Sequence, residues 1–154
     1  MNIKNRIKEL GLSLPEAPSS EGRYTTGVIS NGLLYLSGNG GPDPSNLKYY
    51  GKLGAEVTVE EGRECAAGAA LTLLSTAEKH LGSLERIERI VKLTGFVNSV
   101  PDFTQHPAVI DGASELLIKI LGEEKGAHAR SAIGTASLPF NIPVEIEIII
   151  QVAS

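Results

Sequence analysis

The chain has 154 residues, enough for one domain that buries roughly 70% of the surface its unfolded form exposes. Its single cysteine, Cys65, excludes an internal disulfide, and neither a bilayer-spanning apolar run nor a secretory signal pattern is visible. A net charge of -4 argues against nucleic acid as a partner, because phosphate binding relies on clustered Lys and Arg. We therefore expect one cytoplasmic domain over residues 1–154, without a membrane partner.

The chain opens with a predicted short amphipathic helix, because apolar residues recur at helical spacing over residues 2–10. With the loop that follows, it forms an accessory segment over residues 1–13. Beyond a Pro- and Ser-rich loop, YTTGVIS and LLYLSG predict two strands joined by Asn31 and Gly32, a pair that favours a tight hairpin turn. The next loop, residues 39–52, is long enough to indicate a functional rim.

Thr58 and Glu61 predict a capping box at the start of a long helix. The Thr58 hydroxyl can accept from the Glu61 backbone N–H while the Glu61 carboxylate reaches back. An apolar stripe then runs to Gly82 and consists mostly of alanine, so this helix should lie close against a sheet. The stripe comprises Ala66, Ala69, Ala70, Leu73, Leu74, Ala77 and Leu81.

The second half of the chain predicts a strand, a helix and two further strands. The β-branched segment RIVKLTGFVNSV predicts a central strand, and Pro107 suits the first turn of a helix that ends before Gly122. The final strands are predicted at about 130–137 and 143–152. The order ββαβαββ favours an α+β fold, with one mixed sheet and two helices on one face.

The last strand leaves the other face of the sheet to be explained. Its even-numbered residues are apolar and suit the core, whereas the opposite side is neither fully polar nor fully apolar. Burial against other subunits explains such a face better than solvent does, so we predict a closed homo-oligomer with sites at its interfaces. The residues of this side are Glu145, Glu147, Ile149 and Gln151.

Arg130 is the charged residue of the strand before. A period of two places it on one side with the small residues Ala132, Gly134 and Ala136, which leave space above that face. Its guanidinium fork matches a carboxylate, and such a charge-assisted hydrogen bond contributes roughly 1.5–3 kcal/mol. We expect Arg130 and Glu145 to face away from the helices, toward a cleft between subunits. The alternative is an ion pair between Arg130 and Glu145 or Glu147 on the neighbouring strand.

The other reactive side chains show no pattern of a site. His80, His106 and His128 lack the spacing of metal ligands and are expected at the surface or at helix ends. Cys65 lies beside the alanine stripe, which favours packing over a nucleophilic role. We therefore expect neither a metal nor an organic cofactor.

Three segments, ARSAIGTASLPFNIPVEIE, GRYTTGVISNGLLYLSG and VKLTGFVNSVPDF, resemble the Rid family, the reactive intermediate deaminases also called the YjgF family. The resemblance runs from about Leu14 to the C-terminus and includes longer members that share the loop after the hairpin and the helix QHPAVIDGASELL. It implies a chorismate-mutase-like fold, assembled as a homotrimer with three clefts between subunits. In these clefts, family members hydrolyse enamine or imine tautomers of small 2-amino acids, made by pyridoxal-phosphate dehydratases, to 2-keto acids and ammonia.

The resemblance also implies roles for single residues. Arg130 would hold the substrate carboxylate, and Glu145 would hold the water that attacks the imine carbon. Tyr24 would line the pocket, and Gly38 would contribute backbone contacts. A protonated imine is already electrophilic, so no cofactor is needed, and general-base help is typically worth about 10²–10⁴-fold.

Two positions depart from the family pattern. Ala132 stands where the deaminating members usually have Cys, and Asp111 stands where Asn is common. If it were ionised roughly 6 Å from a substrate carboxylate, Asp111 would repel it by about 3 kcal/mol at an effective dielectric of about 20, enough to cancel the arginine clamp. Asp111 must therefore point away, be paired, be protonated, or serve a different ligand.

Three functions stay open on this basis. The first is hydrolysis of imines or enamines. The second is a non-catalytic module that binds small carboxylates in the same cleft. The third is endoribonuclease activity, which is sometimes attached to this family and against which the acidic charge argues.

Overall fold

The computed structural model describes residues 2–20 and 22–154, and its elements follow the predicted order. Within this described part, no helix is both long and apolar enough to cross a membrane. The elements are α1 (Ile3–Glu9), β1 (Gly27–Ser30), β2 (Leu33–Asn39), α2 (Val59–Leu81), β3 (Ile87–Asn98), α3 (His106–Leu121), the single turn α4 (Glu123–Gly126), β4 (Ala129–Thr135) and β5 (Val144–Val152).

The five strands form one mixed sheet in the order β1-β2-β5-β3-β4. Only β3 and β4 pair in parallel, and the other neighbours are antiparallel. Strand β5 is therefore central, while β1 and β4 are the two edges. The predicted α+β class, the element order and the mixed sheet are confirmed.

The local signals at the hairpin and at the start of α2 are confirmed. Asn31 and Gly32 have φ values of 50° and 74°, both in the left-handed region that a tight two-residue turn needs. The Thr58 hydroxyl accepts from the Glu61 N–H at 3.2 Å, and the Glu61 carboxylate accepts from the Thr58 N–H at 3.1 Å. At the other end of α2, Gly82 adopts a φ of 79°, where glycine carries no Cβ penalty.

Helices α2 and α3 lie on one face of the sheet and approach each other closely. The alanine stripe of α2 is buried, and a Cβ at Gly112 of α3 would come within 2.2 Å of the Arg63 carbonyl oxygen of α2. Such contact requires glycine at this crossing. The largest fully buried side chains include Leu34, Leu93, Ile146 and Ile148 from the sheet and Leu73, Leu74, Ile110 and Leu117 from the helices.

The N-terminal helix α1 contributes to the same core. Ile3 and Ile7 are buried, and the Ile3 N–H donates to the Glu85 carboxylate at 2.7 Å. The Arg6 Nε donates to the Lys119 carbonyl oxygen at 3.0 Å, which fastens α1 to the end of α3. The predicted short helix therefore exists and covers the end of the helical layer.

Candidate functional site

The predicted site residues lie in two groups on different parts of the sheet. We call the first the glutamate half-site; it consists of Tyr24, Gly38 and Glu145. We call the second the arginine half-site; it consists of the predicted residues Arg130 and Asp111 and of two further residues beside them, Ser114 and His128.

Glu145 of the glutamate half-site lies on the outer face of the sheet, opposite the helices. Its Cα pairs with Phe96 of β3, and a Cβ at Gly38 of β2 would come within 3.1 Å of the Glu145 Cδ. Glycine at position 38 therefore lets the glutamate side chain lie against the β2 backbone. Burial raises the pKa of Glu145, and the neighbouring charge of Glu147 raises it further. A carboxylate with a raised pKa is better matched to general-base chemistry near neutral pH.

Tyr24 lies just before β1, at the same end of the sheet as Gly38. The Ser37 side chain donates to the Thr25 carbonyl oxygen at 2.7 Å, and the Ser37 N–H donates to the Thr26 carbonyl oxygen at 2.9 Å. These bonds hold the segment after Tyr24 against the end of β2. The Tyr24 side chain is 60% exposed.

Arg130 of the arginine half-site lies on the helix side of the sheet. Its Cα pairs with the core residue Leu93 of β3. Its Nη1 donates to the Asp111 Oδ1 at 2.7 Å and to the Ser114 Oγ at 3.2 Å, both on α3. Of the four alternatives for Asp111, the structure shows pairing.

The prediction that Arg130 and Glu145 face the same way is wrong. Residues paired across neighbouring strands point to the same face of the sheet. Arg130 pairs with Leu93 and therefore faces the helices, whereas Glu145 pairs with Phe96 and faces the outer side. The alternation of side chains shows which residues of one strand share a face. It does not show which face of the sheet those residues occupy until the strand is paired with its neighbours. The alternative ion pair with Glu145 or Glu147 is also wrong, because β3 separates β4 from β5.

The protein itself occupies only part of the space predicted beside Arg130, since Ala132 is partly exposed and Gly134 is exposed. Ala132 packs against the core, and a Cβ at Gly134 would come within 2.6 Å of the His106 Nε2 at the start of α3. The small residues of β4 therefore accommodate the closely packed helix side of the sheet. The ion pair also stays accessible at this edge, since the Arg130 and Asp111 side chains are 23% and 43% exposed.

Ser114 and His128 extend the arginine half-site and were not predicted as site residues. The Ser114 Oγ lies 2.9 Å from the His128 Nε2, and the His128 Nδ1 lies 2.6 Å from the Gly126 carbonyl oxygen. A carbonyl oxygen can only accept, so Nδ1 carries the proton and Nε2 accepts from the Ser114 hydroxyl. Burial lowers the pKa of His128 and the charge of Arg130 acts in the same direction, against the opposing bond to Gly126. The spacing of Asp111 and Ser114, three residues apart on one helix, was the available signal.

The remaining reactive side chains lie where the sequence predicts. His80 is in the last turn of α2 and bonds the Thr26 Oγ1 at 2.8 Å, while His106 begins α3 and bonds the Ser99 Oγ at 3.3 Å. Burial raises the pKa of Cys65 to about 11, which keeps the thiol protonated and unreactive. Across residues 2–20 and 22–154, no three His, Cys, Asp or Glu side chains cluster as metal ligands.

Comparisons with known proteins place the fold in a family. Residues 4–150 match the family model described as "YjgF/chorismate_mutase-like, putative endoribonuclease". Protein TCP17 of Trypanosoma cruzi is 40% identical over 149 residues, which span 97% of this chain and 93% of that protein. The match begins at residue 4 and so includes most of α1, further than the resemblance that begins near Leu14.

Two crystal structures agree with the whole architecture. Atu1372 of Agrobacterium tumefaciens, described as a protein of unknown function, is 41% identical with a TM-score of 0.90, over 98% of this chain and 92% of that one. A protein of Shewanella oneidensis MR-1 described as a putative endoribonuclease is 31% identical with a TM-score of 0.90, over 99% and 100%. The expected chorismate-mutase-like fold is confirmed.

Proposed function

The chain belongs to the YjgF or Rid family, and from that premise we propose that it hydrolyses imine and enamine tautomers of small 2-amino acids to 2-keto acids and ammonia. The observation that carries the proposal is Glu145, a half-buried carboxylate with a raised pKa that lies against the backbone of Gly38. A carboxylate in this setting is suited to take a proton from water.

The reaction requires orientation and one base. Arg130 holds the substrate carboxylate through the N–H groups that Asp111 and Ser114 leave free. Water adds to the imine carbon while Glu145 takes its proton, which gives a carbinolamine. Glu145 then gives this proton to the nitrogen, and the C–N bond breaks as the hydroxyl loses its own proton to Glu145 and becomes the carbonyl, so that ammonia leaves.

The cleft is built from two subunits in this proposal. Arg130 and Glu145 of one chain lie on opposite faces of the sheet, so they can serve one substrate only if different copies supply them. The contact then joins two different surfaces, and a repeated contact of this kind forms a ring when its rotation closes. We infer the homotrimer that the family resemblance implies.

The outer face of the sheet supports a subunit contact. Val28, Tyr35 and Ile133 lie on this face and are 51%, 44% and 46% exposed. An apolar sheet face with this exposure is typical of an interface between subunits. Glu145 shares the face, so assembly would bring it into a cleft.

The other site residues take supporting roles. Tyr24 and the backbone of Gly38 line the cleft beside Glu145, and Asp111 and Ala132 line it beside Arg130. Alanine at position 132 offers no thiol to this wall. The proposed chemistry therefore relies on the carboxylate of Glu145.

The test couples the protein to a pyridoxal-phosphate dehydratase that acts on serine or threonine. Wild-type protein should accelerate the release of ammonia and keto acid, and Glu145→Gln should remove the acceleration. Glu60→Gln, which changes an exposed carboxylate on α2, is the matched control and should act like the wild type. Release at the spontaneous rate with the wild type, across several amino acids, would exclude the reaction.

A second candidate is a module that binds small carboxylates without catalysis. The observation that favours it is the partly exposed guanidinium of Arg130, because only its Nη1 is bonded to Asp111 and Ser114 and its other N–H groups can bind a carboxylate. Small carboxylates should then raise the melting temperature of the wild type but not of Arg130→Ala. Equal shifts in both proteins would contradict any role of Arg130 in binding.

The third candidate, endoribonuclease activity, is raised by the description of the Shewanella oneidensis protein as a putative endoribonuclease. The sequence predicts little affinity for nucleic acid. The net charge of -4 opposes binding to phosphates. An RNase-free preparation should leave single-stranded RNA intact, and cleavage would restore the third candidate. A cytoplasmic location stays a prediction from the sequence.

A further inference from the structure

We propose that Arg130 and Asp111 form a two-part recognition site for ligands that carry a carboxylate and a protonated nitrogen on the same carbon. The carboxylate binds Arg130, the nitrogen donates to Asp111, and keto acids of the same size are disfavoured. The proposal rests on the proposed function in one respect, that Arg130 faces a ligand carboxylate.

Arg130 keeps enough donors for a ligand. A guanidinium has five N–H groups, and the two on Nη1 match the bonds to Asp111 and Ser114. The N–H groups of Nη2 and Nε have no acceptor among the residues that the structure describes. With 23% of its side chain exposed, Arg130 can still form the paired bonds that suit a carboxylate.

Asp111 keeps an acceptor beside those donors. Its Oδ1 accepts from Arg130, while its Oδ2 has no donor within residues 2–20 and 22–154. The Asp111 side chain is 43% exposed, and an ionised carboxylate can only accept. The group that completes this acceptor therefore has to be a donor, and an ammonium or iminium N–H fits best.

The balance of charge makes the pair selective. A ligand with only a carboxylate is attracted by Arg130 and repelled by Asp111, so the two effects oppose each other. A ligand that also carries a positive nitrogen is attracted by both residues. Loss of ammonia would convert the favoured ligand into a disfavoured one, which promotes release of the keto acid.

Ser114 and His128 hold the pair in this arrangement. The Nδ1–H of His128 donates to the Gly126 carbonyl oxygen, so the Ser114 hydroxyl donates to Nε2 and its oxygen faces Arg130. The Ser114 hydroxyl oxygen therefore accepts from Arg130, and the Ser114 hydroxyl does not donate to Asp111. The free oxygen of Asp111 is left for the ligand.

The experiment measures binding of pyruvate and alanine, two probes of matched size, by calorimetric titration. Wild-type protein should bind alanine at least about tenfold more tightly than pyruvate. Asp111→Asn should weaken alanine binding, because the attraction between Asp111 and the ammonium group is lost. It should strengthen pyruvate binding, because the repulsion between Asp111 and the ligand carboxylate is lost. Glu115→Gln is the matched control, since it removes a charge one turn along α3 that pairs with Arg63 instead.

A wild type that prefers pyruvate, binds both equally or fails to bind alanine would overturn the proposal, and this comparison does not require a folded variant. An unchanged ratio in folded Asp111→Asn would also overturn it. If ammonia release is not accelerated but the ratio behaves as expected, only the proposed reaction fails. If release is accelerated and the ratio is not as expected, only the selection by Asp111 fails.

Discussion

Glu145 illustrates what a half-buried carboxylate costs the folded protein. Because the pKa of Glu145 is raised above the ordinary 4.5, the folded protein binds a proton at this carboxylate more tightly than the unfolded chain does. The contribution of Glu145 to stability is present below pH 4.5 and is lost as the pH rises through the raised pKa. Glu145→Gln should therefore raise the free energy of unfolding at pH 7, while it should also remove the proposed hydrolysis. Urea unfolding at pH 7 and again at low pH, where the gain should vanish, measures this; no gain at pH 7 would contradict it.

His128 gives the opposite dependence on pH. Its pKa lies below the ordinary 6.5, so the folded state favours the neutral ring that accepts from Ser114. The stabilising contribution is present above pH 6.5 and is lost as the pH falls through the lowered pKa. Melting temperatures from pH 7.5 down to pH 5 should fall more steeply for the wild type than for His128→Gln. Parallel curves for the two proteins would refute this account of His128.

At the scale of elements, the close contact between α2 and α3 depends on the absence of a side chain at Gly112. Gly112→Ala would place a Cβ 2.2 Å from the Arg63 carbonyl oxygen, so the helices must separate. Overpacking of this kind costs about 1–3 kcal/mol. Gly68→Ala in α2 is the matched control, because nothing lies within 4 Å of the added Cβ and replacing a helix glycine with alanine is expected to gain about 0.5–1 kcal/mol. Denaturant unfolding of both variants checks the prediction, which fails if they change stability in the same direction.

At the scale of the whole molecule, the proposed cleft between two subunits predicts complementation. Arg130→Ala and Glu145→Gln should each be inactive alone, but a mixture unfolded and refolded together should recover activity. Up to about one quarter of the sites would combine an intact Arg130 with an intact Glu145, if subunits join at random in a ring. The readout is ammonia release by the refolded mixture, with each variant refolded alone as the control. A mixture without recovered activity would place both residues of a site in one subunit.

The outer face gives a second prediction at this scale. Ile133→Lys should dissociate the proposed homotrimer, because a charge would be buried in the proposed interface. Ile29→Lys is the matched control: Ile29 is 48% exposed against 46% for Ile133, but it lies on the helix side of the sheet at the β1 edge. Light scattering after size exclusion would measure both masses. A wild type that is monomeric, or an Ile133→Lys protein that stays trimeric, would contradict the proposed interface.

The sequence by itself determined the elements and much of the family fold. The Thr58 capping box, the Asn31 and Gly32 turn and the alanine stripe of α2 act within a few residues, so their effect is written in the local chain. Only the tertiary structure decided how the site is divided. The alternation of side chains in a strand does not show which face of the sheet each set of residues occupies until the strands pair. The parallel pairing of β3 with β4 places Arg130 against Asp111 on α3, on the face opposite Glu145.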